Sequence, residues 1–130
     1  MISILIVDDD SQIRLALKRL LQNEGYEIFE AGNGIEAIKE FKKSRADIII
    51  TDIVMPDKEG METIMELKQM EPEIRIIAIS GGGYSGRAST YLATAEKLGA
   101  ECTIKKPLNK ETLLECIKKI EHGLNKSGTG

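Results

Sequence analysis

The chain has 130 residues, 42% hydrophobic and 30% charged, which suits one globular domain and excludes disordered and membrane-spanning compositions. A net charge of −3 gives no bulk attraction to nucleic acid or to an anionic membrane. The N-terminal apolar run is short and ends in three aspartates, unlike a signal peptide or a membrane span, so the expected location is cytoplasmic.

Residues 2–7 form a nearly continuous β-branched run, the pattern of a strand buried on both faces. Asp10 or Ser11 then opens a helix with Ile13, Ala16, Leu17, Leu20 and Leu21 on one stripe, ended by Gly25. Residues 26–31 alternate as a strand, and Asn33-Gly34 starts a helix with Ala37, Ile38 and Phe41 inward. Residues 47–51 make a third strand. A loop holding Pro56 and Gly60 leads to a helix expected to turn Met61, Ile64, Met65 and Leu67 inward. Residues 75–79 and 101–104 are the fourth and fifth strands, separated by a Gly-rich stretch and a helix ending near Leu98-Gly99. Asn109 can cap a last helix that buries Leu113, Leu114, Ile117 and Ile120. The expected domain spans residues 1–123, with 124–130 a flexible tail or linker.

Strands alternating with helices predict an α/β fold, a parallel sheet covered by helices on both faces. In such sheets the reactive site lies beyond the carboxyl ends of the strands. Those positions hold Asp8 and Asp9, Asp52, Ser80, and Lys106-Pro107. Each alone suits an ordinary strand end, because Asp and Ser are common turn and cap residues. Together they put three acids, a hydroxyl and a lysine on one edge. Two carboxylates about 4 Å apart repel by roughly 4 kcal/mol at an effective dielectric near 20, and one lysine does not offset three acids. A divalent cation would, and all-oxygen ligation points to magnesium, with manganese as the other candidate, rather than zinc. A carboxylate in such a pocket can attack phosphorus and form an aspartyl-phosphate, with Asp52, central in the sheet, the best placed acceptor.

The segment Ile4-Leu5-Ile6-Val7-Asp8-Asp9, the run from Asp47 through Asp52 to Pro56, the isolated Ser80 and the pair Lys106-Pro107 resemble the receiver domain of two-component response regulators. The likeness covers residues 2–121 in order. It implies a flavodoxin-like, CheY-like five-stranded sheet of order 2-1-3-4-5 with five helices. It implies Asp52 as phosphoacceptor, with Asp9, Asp52 and the Val54 backbone carbonyl as direct magnesium ligands and Asp8 holding the ion through water. Ser80 is then the switch hydroxyl and Lys106 the phosphate partner, ahead of a cis bond to Pro107. The implied function is a phosphoaspartate switch that takes its phosphoryl group from a sensor histidine kinase or phosphotransfer protein. It would signal through its fourth and fifth strands with their adjoining helices. It would catalyse only its own phosphorylation and dephosphorylation, without binding nucleic acid or membrane.

Thr103 stands where the family usually has an aromatic that moves with the switch hydroxyl, and Gly81 to Gly86 lengthen the following connection. That segment lacks the lysine of a P-loop and reads as a switch loop, and Tyr84 or Tyr91 would take over the aromatic's role. Val54 and Gly82, at the family's rate-tuning positions, cannot orient a water, which predicts a long-lived phosphoryl state. The alternatives are an unphosphorylated adaptor and a haloacid-dehalogenase-type phosphatase. The intact acidic set opposes the first. The sequence Asp8-Asp9-Asp10-Ser11-Gln12, without the expected residue after its aspartates, opposes the second. Cys102 and Cys116 lack metal-ligand spacing and read as buried structural thiols, and His122 as an exposed residue near a helix end. The chain is expected either to act by protein contact alone or to be part of a longer regulator.

Overall fold

The computed structural model describes residues 1–53, 59–80, 93, 95–106 and 108–129, with side chains for all of these but 59, 60 and 125–129. In chain order the elements are β1 (Ser3–Val7), α1 (Ser11–Asn23), β2 (Glu27–Ala31), α2 (Gly34–Ser44), β3 (Ile48–Asp52), α3 (Glu59–Met70) and β4 (Arg75–Ser80). Then come α4, helical at 93 and 95–97, β5 (Cys102–Lys105) and α5 (Lys110–Thr129). The backbone of α5 is helical past residue 123, where the sequence suggests a tail.

The five strands pair in parallel in the order β2-β1-β3-β4-β5. β1 and β3 are buried throughout, as continuous apolar runs require when helices cover both faces. The period of two sorts their side chains between two cores. Leu5, Val7, Ile49, Ile76 and Ala78 pack with Ala37 and Phe41 of α2, Ile64 and Leu67 of α3, and Ala95 of α4. Ile4, Ile6, Ile48, Ile50, Ile77 and Ile79 pack with Leu17 and Leu21 of α1 and with Leu113, Ile117 and Ile120 of α5.

Local chemistry starts and stops the helices. Asp10 caps α1 by accepting from the Gln12 and Ile13 amides, and Asn33 caps α2 by accepting from the Glu36 amide. Asn109 accepts from the Glu111 and Thr112 amides at the start of α5. Gly25, with φ of 93°, turns the chain out of α1 in the left-handed region that suits glycine.

Several side-chain expectations need correction: Ala16, on the expected stripe of α1, is exposed, and Leu114 of α5 is half-buried. Met65 is 48% exposed, because Met61, Ile64, Leu67 and Met70 already make the inward stripe of α3. Cys102 and Cys116 are only half-buried, since Cys102 opens the edge strand β5 and Cys116 packs at the core's margin. Burial, followed by the neighbouring Cys102 thiol, pushes the Cys116 thiol up to about 12.

Candidate functional site

Strand register assembles the site. Val7 pairs with Thr51, so Asp8 and Asp52 come next on neighbouring strands. Asp52 pairs with Ile79, placing Ser80 one step further on β4, and Ser80 pairs with Lys105. Asp52 and Ser80 are thus the last residues of their strands rather than the first beyond them. The Lys106 amide donates to the Ser80 carbonyl at 2.8 Å, turning the lysine side chain back over the sheet edge.

Among the described residues, Asp8, Asp9 and Asp52 each offer a carboxylate oxygen, and these lie within 4.8 Å of one another. Asp8 and Asp52 are buried and Asp9 is exposed. Lys106 Nζ donates to Asp52 Oδ2 at 3.0 Å and lies 3.7 Å from Asp8 Oδ2. Ser80 is fully buried, and among the described residues its hydroxyl has no hydrogen-bond partner. Such a hydroxyl is costly unless the site's function supplies a partner.

The electrostatics carry the same signature. Burial pushes the Asp8 carboxyl above its ordinary range, against the Asp10 amide and the Lys106 charge, and Asp52 and Asp9 add to the rise. Burial works to lower the Lys106 ammonium. The hydrogen bond to Asp52 and the charges of Asp52, Asp8 and Asp9 outweigh it and hold the lysine above its usual value. Three oxygens of one charge sign, gathered at one point with a single lysine, fit a hard divalent cation.

The family model of the response regulator receiver domain matches residues 4–118. The chain belongs to this family. As a receiver domain of two-component systems it is 35% identical over 118 residues to the chemotaxis protein CheY of Thermotoga maritima, covering 90% of this chain and 95% of that one. It is 31% identical over 116 residues to sporulation initiation phosphotransferase F of Bacillus subtilis, covering 89% and 90%. Among solved structures, the response regulator TrrA of Thermotoga maritima, in complex with Mg(2+)-BeF, matches with 38% identity and a TM-score of 0.78, covering 92% of this receiver and 99% of that chain.

In this receiver the structure brings Asp8, Asp9, Asp52, Ser80 and Lys106 to one edge. The neighbouring Lys105 stays exposed in β5, and Thr103 is half-buried opposite Ala78. Val54, Pro107, the 81–86 segment, Tyr84 and Tyr91 lie outside the described residues. His122 is exposed, as expected. Sequence reading passes over Arg14, whose Nη1 donates to the Asp8 carbonyl at 2.6 Å. The available signal is a cation one turn inside the helix that follows the acidic pair.

Proposed function

We propose that this receiver is a phosphoaspartate switch with Asp52 as its acceptor. One Asp52 oxygen attacks the phosphorus of a donor phosphohistidine. The P–O bond forms as the P–N bond breaks, and a proton goes to the departing imidazole nitrogen. Asp9, Asp52 and the Val54 backbone carbonyl would hold magnesium directly, with Asp8 holding it through water; manganese could take its place. The ion supplies charge that offsets the acid cluster and the transferring group.

Lys106, already on Asp52 at 3.0 Å, exchanges that carboxylate oxygen for a phosphoryl oxygen. Ser80 turns its buried hydroxyl to another. Ser80 ends β4, and its carbonyl binds the Lys106 amide after β5, so its displacement would be felt on the β4-α4-β5-α5 surface. The observation that carries this reading is the convergence of three carboxylates, one lysine and one buried hydroxyl that has no partner among the described residues. The complex of the related TrrA with Mg(2+)-BeF supports the choice of metal.

The donor would be a sensor histidine kinase or a phosphotransfer protein. A groove of about 370 Å³ between α1 and the start of α5, lined by Ile13, Leu17, Leu20 and Leu113 with Lys106, adjoins the site and could seat its helix. Among the described residues no helix is long and apolar enough to cross a membrane.

Phosphoramidate, a small P–N donor, tests the reaction. With magnesium, intact mass should increase by one phosphoryl group, and chelation should abolish the gain. A folded protein that gains nothing overturns the proposal.

A further inference from the structure

We infer that Arg14 is a positioning residue for the magnesium-holding loop, an inference that rests on the metal reading above. The peptide joining Asp8 to Asp9 is planar, so fixing the Asp8 carbonyl fixes the plane from which Asp9 departs. Arg14 Nη1 donates to that carbonyl at 2.6 Å from the first turns of α1. On the other side of Asp8, its own amide donates to the Ala31 carbonyl at 3.2 Å. Its side chain accepts from the Asp10 amide at 2.9 Å. Asp8 is therefore held at all three of its polar groups, and Arg14 supplies the hold nearest Asp9.

The guanidinium is itself held in place. Its Nε lies 3.5 Å from Glu30 Oε1 on β2, a charge contact without hydrogen-bond geometry. It also lies across Gly32, where a Cβ would come within 3.5 Å of Nη1. Arg14 thus braces the loop against the β2 side of the sheet without reaching the acidic cluster. Groups that orient metal ligands in this way typically cost about 10-fold to 100-fold in metal affinity when removed.

Calorimetric titration of the full chain with magnesium chloride alone tests the inference. Arg14→Met, which keeps the apolar stem, should bind magnesium about 10-fold more weakly. Arg14→Lys, with charge and one reach to the carbonyl, should recover part of the loss. Because Arg14 acts through the metal, phosphorylation of Arg14→Met by phosphoramidate should return to the wild-type rate at saturating magnesium. A folded Arg14→Met that binds magnesium like the wild type overturns the inference. So does a slow rate that magnesium does not restore. If Arg14→Met fails to fold, Arg14→Lys decides alone: wild-type affinity overturns the inference, and a weakened affinity supports it. A wild type that binds no magnesium would instead remove the metal reading itself.

Discussion

Burial and the two neighbouring carboxylates all work against charge on Asp8, while Lys106 Nζ, 3.7 Å away, works for it. In the absence of a cation that balance leaves the folded state carrying an unfavourable buried charge. Asp8→Asn keeps the oxygen that accepts from the Asp10 amide and removes the charge. The variant should therefore be more stable than the wild type in EDTA, by on the order of 1 kcal/mol or about 3 °C in Tm. Adding magnesium should raise the Tm of the wild type much more than that of the variant. Thermal melts with and without magnesium check both; a lower Tm for Asp8→Asn in EDTA would contradict this account of the acid cluster. The meeting of these residues at one sheet edge was legible because each stands at or just beyond the carboxyl end of a strand. What sequence could not give was their relative burial: Asp8 and Asp52 are enclosed while Asp9, one residue along, is exposed.

Among the elements, β2 is an edge strand, half-exposed along most of its length, and needs help from outside the ladder. Tyr26, just before it, donates its hydroxyl to Glu121 of α5 at 3.0 Å. Burial first, then the Glu121 hydrogen bond and the Glu121 and Glu24 charges, push the Tyr26 phenol up to about 12. The folded value lies above the unfolded value of about 10, so the protonated phenol favours the fold. That contribution is fully present below pH 10 and is lost as pH rises through about 12. Tyr26→Phe should cost about 0.5–1 kcal/mol at neutral pH, discounted for partial exposure. Its difference from the wild type should vanish toward the high end of that window. Denaturant melts across pH check it, and a difference that grows with pH would contradict it. The helix caps at Asp10, Asn33 and Asn109 could be read in advance because they depend only on nearby amides. The inward face of α3 could not be read fully. At about 100° per residue, Met65 stands off the stripe of Met61, Ile64, Leu67 and Met70, and only packing against α2 and the sheet decides which side faces in.

For the molecule as a whole, alternation of strand and helix was enough to predict a parallel sheet, and the family resemblance supplied the order that β2-β1-β3-β4-β5 pairing shows. That order puts the exits of β1 and β3 side by side where the connections diverge, which is why residues 44 positions apart, Asp8 and Asp52, share a cluster. For the Arg14 contact to the Asp8 backbone the sequence held only the weak signal of a cation one turn inside α1, because side-chain to carbonyl bonds leave no periodic trace. Nor was the meeting of Cys102 and Cys116, which depends on how α5 lies over β5. A single carboxylate, Asp52, is proposed to become the phosphoryl acceptor. Borohydride reduces an aspartyl-phosphate to homoserine, so the most direct measurement is reduction of the phosphorylated protein followed by proteolysis and peptide mass analysis. Homoserine should appear at position 52 alone, and only when magnesium was present. Homoserine at position 8 or 9, or a phosphoryl adduct that leaves Asp52 intact, would contradict it.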